Sequence, residues 1–201
     1  LQGESASVGW PTVFVRLTGC PLRCTYCDTA YAFSGGDWWE LPAILDQVDA
    51  YAVRHVTVTG GEPLAQPDCL ALLVALCDAG YRVSLETSGA LDVTRVDPRV
   101  VRVVDLKTPG SGEVARNRYE NIEALTSKDQ VKFVIRDAED YAWSREQLER
   151  LQLAERCQVL FSPVADEMDA TTLADWILRD RLDVRFQLQL HKVLWGDGPG
   201  R

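Results

Sequence analysis

Three cysteines, Cys20, Cys24 and Cys27, stand within eight positions in the stretch RLTGCPLRCTYCDTAY (residues 16–31), and no fourth ligand follows nearby. A structural zinc takes four ligands, whereas a catalytic zinc keeps three and leaves one position open. A cubane iron–sulfur cluster is commonly held by four cysteines, so a set of three leaves one iron free for an outside ligand. The count alone admits either metal. The remaining three of the six cysteines, Cys69, Cys77 and Cys157, lie singly in apolar surroundings and read as small core-filling thiols. That pattern is no disulfide framework and fits a reducing cytoplasm.

Other chemistry-bearing residues also follow apolar runs. TGGEP occupies Thr59–Pro63, ETSG begins at Glu86, DLKTPGSG begins at Asp105, and LHK ends the final run at Lys192. Taken alone, TGGEP is a strand-to-helix turn, since glycine supplies backbone freedom and proline suits a helix start.

The runs themselves alternate with period two, which marks strands: 12–18, 55–60, 82–88, 100–107, 130–136, 158–163 and 184–192. Helical patterns lie between most of them, at 41–52, 67–80, 144–155 and 170–180, with 118–126 a weaker case. Alternating strand and helix predicts an α/β fold with a mostly parallel sheet. Within the strands one face is apolar (Val13, Val15, Val56, Val58, Phe133, Ile135). The other is polar, with Arg16, Thr57, Thr59, Ser84, Glu86, Lys132, Gln187, Gln189 and His191. A doubly wound sheet is apolar on both faces. The pattern therefore predicts either a sheet with one face in solvent or a partial TIM-type barrel with a polar lumen. The second is favoured, because the unusual residues gather at strand C-terminal ends, where barrel sites are built.

The 201 residues are 46% hydrophobic and 25% charged, which is expected to give one domain spanning residues 1–201. The chain opens at Leu1, so further residues are expected upstream. A net charge of −9 argues against nucleic acid as partner. No apolar run reaches the roughly 18 residues of a membrane span, so no membrane partner is expected.

Cys-x-x-x-Cys-x-x-Cys after the first strand, with TGGEP one βα unit later, resembles the radical S-adenosylmethionine (SAM) superfamily. That resemblance implies a partial barrel with helices outside, a 4Fe–4S cluster on Cys20, Cys24 and Cys27, and SAM chelated by the free iron. Electron transfer to SAM then releases a 5′-deoxyadenosyl radical.

The match narrows at LQGE (residues 1–4), VFVRLTGCPLRCTYCDT (13–29), TGGEP, LETSGA and LQLHK. Together these resemble the 7-carboxy-7-deazaguanine synthases of queuosine and 7-deazapurine biosynthesis. The resemblance implies conversion of 6-carboxy-5,6,7,8-tetrahydropterin to 7-carboxy-7-deazaguanine with loss of ammonia, and a Mg2+ ion ligated by Thr29. Leu1, Gln2, Gly3, Arg16 and Thr59 are implied as pterin neighbours, with Glu4 and His191 as further candidates. A guanidinium pairs bidentately with a carboxylate, which suits Arg16. For SAM the implied residues are Tyr26, Asp28, Gly61, Asp105, Leu106, Lys107, Ser162 and Pro163, with Glu86 and Ser88 as ribose partners by superfamily analogy. At positions 105–107 this chain reads Asp-Leu-Lys where many relatives have Ser-Pro-Lys. Relatives end soon after the His-Lys pair, whereas VLWGDGPGR continues here. The family also implies a homodimer and an electron donor such as flavodoxin. Two rivals share parts of the pattern: an activase that installs a glycyl radical on a partner protein, and a non-catalytic metal module.

Overall fold

The computed structural model describes residues 1–196. Seven parallel strands form one sheet in chain order: β1 (Thr12–Leu17), β2 (His55–Gly60), β3 (Arg82–Thr87), β4 (Val101–Asp105), β5 (Gln130–Ile135), β6 (Gln158–Pro163) and β7 (Arg185–Phe186). β1 and β7 each have one strand neighbour, so the barrel is left open. Helices α1 (Leu41–Ala50), α2 (Cys69–Asp78), α3 (Ala138–Arg150), α4 (Leu153–Arg156), α5 (Ala170–Asp180) and α6 (Leu190–Trp195) complete the chain. Among the described residues no helix is long and apolar enough to cross a membrane.

Local chemistry explains where the helices sit. In α2 the buried positions are Cys69, Leu72, Leu73 and Leu76, the i, i+3, i+4, i+7 spacing that gives a helix one apolar stripe. α3 starts six residues before the Ser144 of the sequence pattern, because the Asp137 carboxylate accepts from the Glu139 and Asp140 amides and caps it there. Asp169 caps α5 through the Thr172 amide. Residues 119–124 form a 3-10 turn, where the sequence showed only a weak helical pattern. No helix joins β3 to β4. Val93, Val96 and Val100 bury themselves in that connection instead.

The apolar strand faces pack outward under the helices, with Val56, Val58, Leu85, Val131, Phe133, Ile135 and Phe161 in one core cluster. Phe133 meets Phe161 edge-on at 5.4 Å, and Tyr141 of α3 meets Phe161 at 6.1 Å. The polar faces turn inward. They are not washed by solvent: Thr57 and Thr59 are buried, because the N-terminal segment folds over them.

The last strand is a correction to the sequence reading. Only Arg185–Phe186 join the sheet, and the predicted run to Lys192 ends early. The Gln187 side chain bonds both ways to the Ser5 backbone, and the Leu190 amide donates to the Gly3 carbonyl. The Gln187 amide still donates to the Phe161 carbonyl of β6, but its side chain and the Leu190 amide turn to the N-terminus, and His191 and Lys192 lie in α6.

Candidate active site

The cysteine loop leaves β1 at the C-terminal rim. Its Leu22 side chain is 1% exposed and pins the loop to the body of the protein, while Cys20, Cys24 and Cys27 are each half-buried. The backbone closes a turn from the Cys27 amide to the Cys24 carbonyl, 3.2 Å. The connection after β4 cradles the loop. The Arg23 amide donates to Glu113, the Thr25 amide to the Ser111 carbonyl and the Thr25 hydroxyl to the Gly110 carbonyl. Tyr26 crosses further, its hydroxyl lying 3.2 Å from both Thr108 Oγ1 and the Val134 carbonyl.

TGGEP packs directly against this loop. The Gly61 amide donates to the Leu17 carbonyl at 3.0 Å and the Glu62 amide to the Gly19 carbonyl at 2.7 Å. A Cβ on Gly61 would sit 2.4 Å from the Gly19 carbonyl oxygen and 2.9 Å from Cys20 Cβ. Gly61 is therefore a point of close backbone approach, which only glycine allows.

Cys20 and Cys24 each lie within electrostatic reach of Cys27 and of Lys107. Burial pushes Cys20 and Cys24 above the ordinary thiol value, so a bound metal must supply the driving force for their deprotonation. Among the described residues no three His, Cys, Asp or Glu side chains converge as a single-ion site requires. A cubane spreads its thiolates over separate irons. Three thiols along one pinned loop, with backbone and one lysine around them, form a donor set that fits it.

Asp105 and Lys107 form a part-buried ion pair of 2.7 Å at the end of β4. Lys107 is further held by Asn117, which accepts from its amide and donates to its carbonyl. Asp105 Oδ1 is buried without a partner, an acceptor left for a ligand donor. Three expected SAM neighbours point elsewhere. Leu106 is in the core, Pro163 is buried, and the buried Ser162 hydroxyl donates to the Gln187 carbonyl. Asp28 and Thr29 bond to each other, 2.7 Å, at the loop's far end.

The lumen is lined from both termini. Gln2 Nε2 donates to Thr57 Oγ1 (3.2 Å) and Glu86 Oε1 (3.1 Å), and Thr59 donates to Glu86 Oε2 (3.1 Å). Gly3 lies against His191: a Cβ there would fall 2.2 Å from its Nδ1. Arg16 stands exposed at the mouth, its guanidinium 3.3 Å from the Gly60 carbonyl and near the Tyr31 ring, with no carboxylate partner among the described residues. An ordinary salt bridge does not account for it. Glu86 sits with Gln2 and Thr59, two of the expected pterin neighbours. The Ser88 amide and hydroxyl are both engaged by Glu62. The tail residues 197–201 lie outside the described residues.

Burial raises Glu86 above the usual carboxylate range, and the Glu4 carboxylate adds to the shift. Burial acts the same way on Glu4, but the Lys132 ammonium at 2.8 Å outweighs it and keeps Glu4 low. Two carboxyls of unlike basicity thus share one lumen.

Glu62 does not stand out in the sequence as a site residue. It is fully buried, without a cation among the described residues, and accepts from Leu64 N, Thr87 Oγ1, Ser88 N and Ser88 Oγ. It fastens the end of β3 to the glycine turn. The only hint in sequence is an acid between two glycines and a proline.

A family model described as the radical SAM superfamily matches residues 14–105. A 7-carboxy-7-deazaguanine synthase of Chlorobaculum tepidum is 44% identical over 198 residues, covering 97% of this chain and 90% of that protein. Proteins of the same name from Koribacter versatilis and Thermoplasma acidophilum are 41% and 34% identical, with 93% and 95% of their lengths covered by 97% and 100% of this chain. Among solved structures, Streptococcus suis SuiB bound to precursor peptide SuiA superposes with a TM-score of 0.60 at 15% identity, over 90% of this chain and 49% of that one. SuiB bound to S-adenosylmethionine gives 0.57 at 14%, over 88% and 46%. The chain spans about half the length of SuiB, and the likeness is one of fold.

Proposed function

The chain belongs to the 7-carboxy-7-deazaguanine synthase family of the radical SAM superfamily, and from that premise we propose that it converts 6-carboxy-5,6,7,8-tetrahydropterin to 7-carboxy-7-deazaguanine and ammonia. One observation carries the reading. The N-terminal LQGE segment is folded into a polar lumen directly beside the cysteine loop, with Arg16 left without an acid at its mouth.

Each group then has a task. Cys20, Cys24 and Cys27 hold a 4Fe–4S cluster, and Tyr26, Asp28, Gly61, Asp105 and Lys107, with the main chain at Leu106, Ser162 and Pro163, surround SAM. Bound together, cluster and SAM supply a hydrogen-abstracting 5′-deoxyadenosyl radical. Arg16 takes the pterin carboxylate in a fork of two hydrogen bonds. Leu1, Gln2, Gly3 and Thr59 frame the ring, and Glu86 and Glu4 face its donor-rich edge. The N-terminal segment and α6 exclude water from the lumen, which protects a reactive intermediate from side reactions. Product and ammonia together account for every atom of the pterin, so the ring contraction needs no net oxidant and SAM is returned. Thr29 would ligate the Mg2+ ion that the family resemblance implies. An external electron donor such as flavodoxin, a homodimeric state, a cytoplasmic location and a single domain over residues 1–201 complete the reading.

The test is product identification after anaerobic incubation of reconstituted, reduced enzyme with SAM and the carboxylated pterin. Mass spectrometry is expected to find 7-carboxy-7-deazaguanine with stoichiometric ammonia. A glycyl-radical activase would cleave SAM and leave the pterin untouched, and a zinc module would do neither; either result overturns the reading.

A further inference from the structure

Lys132 has no part in the roles above, yet its setting is unusual. It lies on β5, with its Cα in register with that of Asp105 on β4, and its side chain is 15% exposed on the lumen side of the strand. Its ammonium sits 2.8 Å from Glu4 Oε2. The other oxygen, Glu4 Oε1, receives Gln189 Nε2 at 2.8 Å, and the same nitrogen reaches Asp28 Oδ2 at 3.0 Å, one residue beyond Cys27. On the opposite side Asp105 is already engaged by Lys107 at 2.7 Å. Signs therefore alternate across the strand ends, Lys107, Asp105, Lys132, Glu4, and Gln189 carries the row on to the cysteine loop.

We propose that Lys132 is a positioning residue for the pterin: it fixes Glu4, and through Glu4 and Gln189 it holds the N-terminal segment at a set place above the cysteine loop. The inference rests on the pterin reading of the lumen. Burial opposes the Lys132 charge, but Glu4, Asp105 and Glu86 outweigh it and hold its pKa above the ordinary lysine value, so it serves as a fixed cation and not as a base. Glu4 has no other cation within bonding distance among the described residues. Without Lys132 a buried carboxylate loses its partner and must take up a proton or swing toward water. The Glu4 amide is bonded to Gln2 Oε1, so either response loosens the backbone that frames the ring.

The test compares reconstituted holoenzyme carrying Lys132→Met, Lys132→Arg or Gln189→Leu with wild type. For Lys132→Met the pterin KM is expected to rise about tenfold. Deoxyadenosine released per product is expected to rise with it, because SAM is cleaved over a misplaced substrate. Iron content and SAM KM should stay within about twofold of wild type. Lys132→Arg keeps the charge and should recover most of the loss, while Gln189→Leu should shift the same two quantities by about threefold. Unchanged pterin KM and coupling in Lys132→Met overturn the inference whatever happens to kcat. So does a parallel loss of iron or SAM binding, which would mark a general structural role. If Lys132→Met does not fold by circular dichroism, Gln189→Leu decides on the same criteria. A wild-type enzyme that leaves the pterin unchanged overturns the pterin reading, and this inference with it.

Discussion

Two ion pairs of nearly equal length, one buried and one part-buried, sit at different levels of the same barrel and have different uses. At the bottom, Arg102 meets Asp129 at 2.7 Å with the carboxylate fully buried. Asp129 also accepts from the Arg102 amide, the Thr126 amide and the Thr126 hydroxyl, so its oxygens are filled. In the lumen, Lys132 meets Glu4 at 2.8 Å beside a second carboxyl, Glu86, and an unpartnered Asp105 oxygen. The bottom pair leaves Arg102 Nε without a partner, but its carboxylate is filled from within the protein and ties β4 to the turn before β5. The lumen pair has both Glu4 oxygens engaged, but beside it one acceptor, Asp105 Oδ1, is left unfilled and the neighbouring carboxyl Glu86 differs in basicity, the condition of a site prepared for something else. A buried charge pair by itself says little about function. What its remaining lone pairs face says more.

The sharpest way to break this comparison is at the rim. Cys24→Ala is expected to abolish product formation while leaving the circular dichroism spectrum intact, since the loop is pinned by Leu22 and by the contacts of Thr25 and Tyr26. At the bottom, Asp129→Ala leaves Arg102 buried and unpaired and is expected to cost about 3–5 kcal/mol of stability, read by denaturant midpoint, with turnover per folded molecule retained.

The same carboxylate carries a pH dependence. Burial raises Asp129, but bonds from Arg102 and Thr126 outweigh it and hold it below its unfolded value. Its contribution is complete above the unfolded carboxylate value of about 4 and is lost as pH falls through the lower folded value. Wild type should therefore lose more stability than Asp129→Ala as pH falls below about 4. Smallest of all, Cys77→Ala removes a half-buried thiol in α2 and should shift stability by about 1 kcal/mol with activity unchanged. Equal chemical loss from Cys24→Ala and Cys77→Ala would erase the distinction between the two regions.

Six strands and the polar face were legible in sequence because period-two alternation reports burial directly. Alternation failed at VRFQLQLHK for a physical reason. Gln187 and Gln189 alternate with apolar residues as a strand would, yet their side chains bond to Ser5 and Glu4, and the strand stops at Phe186. The cysteine spacing and the glycine turn were equally visible, since both are local. Glu62 and Lys132 were not, because their partners lie far along the chain: Glu62 is answered from β3, and Lys132 from Glu4, 128 positions away. Pattern shows that a residue is polar and inward. It does not show which other residue will satisfy it.

Three thiolates at this rim leave one iron of the cluster open. Electron paramagnetic resonance of the reduced, anaerobically reconstituted enzyme tests it, recorded with and without SAM. A 4Fe–4S signal whose g-values shift when SAM is added is the expected result. A signal indifferent to SAM, or a reconstituted protein that carries no iron, would contradict the account.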